Sequence, residues 1–168
     1  YEYKEYDFTA GIRTRLIPIS LITNNSSSSS LSDALQSMSG IYMRSYGNGM
    51  LNGITIRGFG PERASILWNG IAINNSGLGL SDMNLIPGGF FNSIKLIEGS
   101  SSTQYGNGAQ GGSLLLEYKP NFKNKFDISL QQEFGSFFTW NSAVQSNYGN
   151  DKVQGRTAFI RNSSNNNY

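Results

Sequence analysis

The 168-residue chain contains no cysteine and no histidine. The first absence removes disulfides and thiolate nucleophiles. The second removes imidazole general bases and, together with the first, the commonest zinc ligand sets. Charge is also sparse: 14% of residues are Asp, Glu, Lys or Arg, and they sum to +2, which offers no surface for a polyanion such as nucleic acid. No run of about 18 apolar residues occurs, so no transmembrane helix is expected. The opening "YEYKEYDFTA" has neither the basic start nor the apolar stretch of a secretory leader, a pattern that a processed N-terminus shares. No carboxylate pair stands out, and a nucleophilic serine would find no base. An enzyme is therefore not expected, nor a cofactor, nor a resident metal.

Polarity comes instead from 24 Ser and 19 Asn, beside 20 Gly and 12% aromatic residues, a composition that favours strands and turns over helices. Three segments are expected. Residues 1–30 read as an extended lead-in ending in the low-complexity tract Ser26–Ser30, with "IRTRLIPISLI" a candidate short strand. Residues 31–120 read as a compact αβ region. It opens on "SLSDALQSMSG", where Ser30 or Ser32 can cap a helix of about two turns carrying Leu31, Ala34, Leu35 and Met38 on one face, stopped by Gly40. "IYMRS", "ITIRGF", "FFNSIKLIEG" and "SLLLEYK" read as strands, "LSDMNLIP" as a short helix, and "ASILWNGIAIN" as a hairpin turning at Asn69-Gly70. From 121 the pattern changes to strict alternation. Phe126, Ile128, Leu130 and Phe134 interleave with polar residues, as do Phe138, Trp140, Val144 and Tyr148, and Val153 and Phe159 share one face of "KVQGRTAFIR".

"YGNGAQGG" contains Gly106-x-Gly108-x-x-Gly111, the spacing of a dinucleotide fingerprint. That motif needs a helix opening on its last glycine, whereas the next residues here, "SLLLEYK", read as a strand. The glycines are therefore expected to serve tight turns between strands.

Taken in order, "LSDALQSMSGI", "ITIRGFG", "ILWNGIAIN", "NLIPGGFFNSIKLIEG" and "SSTQYGNGAQGGSLLLE" resemble the plug domain of TonB-dependent outer-membrane receptors over residues 31–118. The resemblance implies an α+β plug, a mixed sheet with short helices, followed by the first antiparallel strands of a transmembrane β-barrel. Residues 121–168 would supply about three strands of a barrel of about 22. The alternating strands of about 10 residues, and the aromatics Phe134, Phe137, Phe138 and Trp140 beside Gly135-Ser136, fit such a wall with its interfacial girdle. Open sheet edges are not tolerated in lipid, so the reading requires further strands. The implied function is uptake of a scarce nutrient, an iron-siderophore or cobalamin, across the outer membrane of a Gram-negative bacterium. The plug and N-terminus would lie on the periplasmic side. The implied partners are the energy-transducing protein TonB, outer-membrane lipid and the small-molecule ligand. A surface lipoprotein is a further partner the resemblance allows; nucleic acid is not expected.

The resemblance also assigns residues. Arg57, in "ITIRG", falls where the family keeps an arginine that locks the plug to barrel carboxylates. The family's second arginine corresponds to Glu98, a departure from which an Arg57–Glu98 pair is expected, directly or through one shared barrel residue. Three polar loops would meet the ligand: Tyr46, Asn48 and Met50 in the first, Glu62 and Arg63 in the second, and Asn74, Asn75, Ser76 and Leu78 in the third. A ligand of net negative charge would engage Arg63. Tyr6, Phe8 and Thr9 would add as a strand to TonB. The alternative from a different class is a β-rich cell-surface adhesin or interaction module without transport, which the Ser/Asn richness suits and which predicts no lipid-facing band.

Overall fold

The structure is a computed structural model; it describes residues 13–17, 31–36, 41–47, 50–99, 104–106, 108–120, 122 and 125–165. The chain divides into two compact units, Tyr1–Tyr118 and Lys119–Tyr168.

The first unit is built on a five-stranded mixed sheet of order β1-β6-β7-β4-β5. Its strands are β1 (Arg13–Ile17), β4 (Ala64–Trp68), β5 (Ile71–Ala72), β6 (Ser93–Glu98) and β7 (Gly112–Glu117). Only β4 and β7 run parallel; β1–β6, β6–β7 and β4–β5 are antiparallel. A separate hairpin, β2 (Ile41–Ser45) with β3 (Asn52–Ile56), and the short helix α1 (Leu31–Gln36) pack with one face of this sheet. The core is the product of period-2 placement. Ile17, Ile94, Leu96, Leu114, Leu116 and Ile66 point to the covered face, where they meet Leu31 and Leu35 of α1 and Ile41, Met43, Ile54 and Ile56 of the hairpin. Each such side chain contributes about 1.5–3 kcal/mol by leaving water. On the opposite face Leu67, Ile97 and Leu115 form a smaller buried cluster, with Tyr105 against them.

Local signals act as physics requires. Asn69 and Gly70 take φ of 47° and 85°, the left-handed pair of a two-residue hairpin. "LSDMNLIP" forms a single 3-10 turn, Met83–Leu85, capped by the Asp82 carboxylate, which accepts from the Asn84 N–H. Two expectations change. The candidate strand within residues 1–30 forms, as Arg13–Ile17, but it is an edge strand of the main sheet with Ile17 in the core and not part of a separate lead-in. Arg57 reads as part of a strand, yet β3 ends at Ile56, and Arg57 (φ 55°) turns the chain so that Phe59 donates back to the Ile56 carbonyl.

The second unit is a three-stranded antiparallel meander, β8 (Lys125–Gly135), β9 (Thr139–Gly149) and β10 (Gln154–Ser163). The register sets Phe126 opposite Tyr148, Leu130 opposite Val144, Phe134 opposite Trp140, and Val144 opposite Phe159. These apolar side chains therefore share one face, and they remain uncovered in this chain: Phe126 is 74% and Leu130 75% exposed. The other face is polar, with Arg156 donating to Gln145 and Asn147 to Asp127. Alternation predicts Phe138 in a strand with Trp140, but Phe137 and Phe138 (φ 56° and 52°) make the turn and β9 starts at Thr139.

Candidate ligand-facing site

One row crosses the main sheet at its end: Arg13 pairs with Glu98, Glu98 with Gly112, and Gly112 with Ala64. The segments that enter this row bring most of the expected loop residues to one place. Gly60 begins a 3-10 turn, Pro61–Arg63, closed by Arg63 N–H to the Gly60 carbonyl. The Arg63 carbonyl then accepts from Gly111 N–H at 2.8 Å, and its guanidinium donates to the Gln110 side-chain oxygen. Glu62 is exposed with its carboxylate folded back over Gly60, while its main chain lies against Gly79 and Gly108. Arg63, Glu62 and the 74–80 loop thus form one exposed rim with the residues before β7.

Within that rim the asparagines have different work. The Asn74 side-chain oxygen accepts from Ile66 N–H at 2.8 Å, and its amide donates to the carbonyls of Ala64 and Gly79 at 2.8 and 2.9 Å. Its side chain extends the β4–β5 pairing where the backbone leaves the sheet, so these bonds hold the loop and turn the amide inward. Asn75 folds the loop tip, its side-chain oxygen accepting from Gly77 and Leu78 N–H. Ser76 and Leu78 are left facing solvent. Asn74→Ala should lower stability by about 2–3 kcal/mol, three bonds at about 1 kcal/mol each. Asn74→Asp should not restore it, because a carboxylate can accept from Ile66 but repels the two carbonyls. Urea midpoints of the three proteins check this.

Tyr46 and Met50 belong to a second group. The Arg44 guanidinium stands 5.4 Å from the Tyr46 ring centre, and the Met50 carbonyl accepts from the Asn84 amide. Asn84 is a hub that the pattern of the sequence does not single out: its side-chain oxygen also accepts from Ser32 and Asn52, while Asp82 accepts from the N–H groups of Asn52 and Asn84. The Asp-x-Asn spacing before Pro87 is the available signal. Asn48, Tyr6, Phe8 and Thr9 lie outside the described residues.

The charges are paired differently from expectation. Glu98 is buried (7% side-chain exposure) and accepts from Arg15, itself 11% exposed, at 2.7 Å. Arg13, half exposed, adds a contact at 3.4 Å. Among the described residues Arg57 makes no such contact, and its side chain is exposed in this chain. The reason is local: Ile56 seats against Gly112, and the left-handed turn at the next residue swings Arg57 outward. Arg13, Arg15 and Ile17 lie on the same face of β1 as Glu98, Leu96 and Ile94 of β6. The ion pair therefore closes the rim of the core and fastens the edge strand.

Gly111 and Gly112 of "YGNGAQGG" are structural. A β-carbon on Gly111 would fall 3.1 Å from the carbonyl oxygens of Ile56 and Arg63, and one on Gly112 would fall 2.9 Å from that of Ile97. A strand, β7, begins at Gly112 where a nucleotide fingerprint would open a helix.

Comparison with known proteins agrees with this architecture. The family model of the TonB-dependent receptor plug domain matches residues 12–113. The chain is 29% identical over 119 residues to the vitamin B12 transporter BtuB of Photobacterium profundum, covering 67% of this chain and 20% of that protein. Among solved structures, the copper transporter OprC superposes with a TM-score of 0.72 at 19% identity, over 90% of this chain and 23% of its own. The ferripyoverdine receptor of the outer membrane of Pseudomonas aeruginosa gives 0.69 at 17% identity, over 96% and 21%. The chain thus spans between a fifth and a quarter of the length of these relatives.

Proposed function

The chain belongs to the TonB-dependent receptor plug domain family, and from that premise we propose that it forms the plug and first three barrel strands of an outer-membrane receptor taking up a scarce nutrient. An iron-siderophore or cobalamin is the cargo class favoured. The observation that carries the reading is the match of the family over residues 12–113, which spans the mixed sheet up to the start of β7 and every loop of the rim. BtuB, OprC and the ferripyoverdine receptor are transporters and receptors by name, which gives an adhesin no support.

The second unit supports a barrel wall by its dimensions and polarity. Strands of 11, 11 and 10 residues suffice to cross hydrocarbon when tilted. One face is apolar and uncovered, the reverse of what a soluble sheet tolerates. In this reading the plug runs to about Pro120 and the wall begins at 121, with residues 1–12 on the periplasmic side and Tyr6, Phe8 and Thr9 offered to TonB. Glu62, Arg63, Ser76, Leu78, Tyr46 and Met50 face the cargo; Asn74 and Asn75 shape the loop that presents them. Arg57, at the outward turn, is read as the charge that meets a carboxylate of the wall.

The test is uptake by cells expressing the complete receptor, with radiolabelled cobalamin and ferric siderophores offered separately. One of these cargoes should accumulate, and accumulation should vanish in cells lacking TonB. Accumulation indifferent to TonB, or a protein absent from the outer-membrane fraction, would overturn the reading.

A further inference from the structure

We propose that the apolar face of the β8–β10 sheet carries a binding site for the anionic, phosphate-bearing headgroup of an acyl lipid, centred on Arg161. The proposal rests on the reading of this sheet as barrel wall. Arg161 shares a cross-strand row with Gln132 and Ser142; the next row on one side is Leu130–Val144–Phe159, and on the other Phe134–Trp140–Ser163. Among the described residues Arg161 is the only charged group on this face.

The surroundings of Arg161 are held by hydrogen bonds across the strands. A cavity of about 360 Å³ is lined by Phe138, Trp140, Ser142, Arg161, Ser163 and Asn165. The Trp140 indole N–H and the Gln132 amide both donate to the Ser142 hydroxyl at 2.9 Å, and the Phe134 and Trp140 rings pack 5.1 Å apart. Asn165 N–H donates to the Phe137 carbonyl at 2.9 Å, which ties the end of β10 to the turn that carries Phe138. The cavity therefore sets the held Trp140 ring, hydroxyls and an amide around one guanidinium.

Covering this face with hydrocarbon strips water from Arg161, and among the described residues the face carries no carboxylate to compensate. An anionic headgroup brings the counter-charge with the covering molecule. A guanidinium offers a planar fork of N–H donors that fits two phosphate oxygens at once. In a lipid the phosphate stands just beyond the chains, and here Phe159 lies two residues from Arg161, about 7 Å along the strand. Chains on the Leu130–Val144–Phe159 row and beyond would thus bring a phosphate to the cavity, at the level where Trp and Phe mark the interface. A soluble anion would leave the Leu130–Val144–Phe159 row and the Phe134 and Trp140 rings uncovered, which is why the occupant is assigned as a lipid.

The complete receptor in detergent would be titrated with phosphatidylglycerol and, separately, with phosphatidylcholine of the same chains, and bound lipid counted by native mass spectrometry. The wild type should prefer phosphatidylglycerol by about tenfold, one charge-assisted contact's worth. Arg161→Gln should abolish the preference and leave phosphatidylcholine uptake unchanged, and Arg161→Lys should keep part of it, as a point charge without the fork. Excess inorganic phosphate should not displace the lipid. Equal affinity for the two lipids in the wild type, or a preference that survives Arg161→Gln, would overturn the proposal. Displacement by inorganic phosphate would also overturn it, by making the site one for soluble anions. A receptor that neither binds lipid nor floats with membranes would overturn the barrel-wall reading, and the proposal with it.

Discussion

Replacing Glu98 by alanine is expected to destabilise the first unit by about 3–5 kcal/mol, the cost of leaving one member of a buried ion pair without its partner. Arg15 keeps only 11% of its side chain in contact with water, and its guanidinium sits 2.7 Å from the carboxylate that the substitution removes. The measurable consequence is local as well as global: amide protons of β1 and β6 should exchange faster than those of β7. Trp68, packed edge-on against Phe91 at 5.1 Å, reports the unfolding of this unit, and a Trp140→Phe background removes the indole of the second unit.

The partners separate the possibilities. Arg15→Ala should cost less than Glu98→Ala, because the carboxylate retains Arg13 at 3.4 Å. Replacing both Glu98 and Arg15 by leucine should recover most of the loss, since a buried pair traded for packed hydrocarbon is often close to neutral. Arg57→Ala should stay within about 0.5 kcal/mol in this chain, as for other exposed positions. If Arg57→Ala matched Glu98→Ala and the two were strongly non-additive, the pairing derived from the sequence would be right and the one seen in the structure wrong.

This reversal marks where the sequence stops being informative. Strands β8 to β10 are legible because alternation is a local signal repeated over ten or eleven residues. The hairpin at Asn69-Gly70 is legible because only a few dipeptides accept two left-handed residues in succession. Glu98 is legible as a charge at a strand end that needs compensation, but not the source of that compensation. Arg15 is 83 positions away, in a segment whose five-residue strand has no clean periodicity, whereas Arg57 lies in a motif that resembles a family pattern and so attracts the assignment. Asn74 misleads for a similar reason. An asparagine in a Gly-rich loop reads equally as a ligand contact or a loop pin, and only the position of the Ala64, Ile66 and Gly79 backbone groups decides. The Ser32–Asn52–Asp82–Asn84 network joins separate stretches of chain through single hydrogen bonds, and no spacing rule connects them.

Gly112→Ala is expected to cost about 3 kcal/mol, at the severe end for overpacking by one methyl. The new carbon would lie 2.9 Å from the Ile97 carbonyl oxygen and 2.9 Å from the Ile56 methyl, inside van der Waals contact on both sides. Ile97 belongs to β6, hydrogen-bonded to β7, so its carbonyl cannot retreat without opening the ladder. Ile56, the last residue of β3, is fully buried between the hairpin and the sheet, so it cannot swing away either. Gly111→Ala should behave alike, with the Arg63 and Ile56 carbonyls 3.1 Å away and the Gly111 N–H committed to Arg63. Gly108→Ala is the contrast, since its nearest neighbour would be the Glu62 carbonyl at 3.5 Å, an ordinary contact. That substitution should change stability by less than about 0.5 kcal/mol. Urea midpoints read through Trp68 would therefore rank Gly108→Ala near the wild type and the other two far below it. A flat series, or one in which Gly108→Ala is the worst, would mean that these glycines are kept for something other than the approach of β3 and β6 to the first residue of β7.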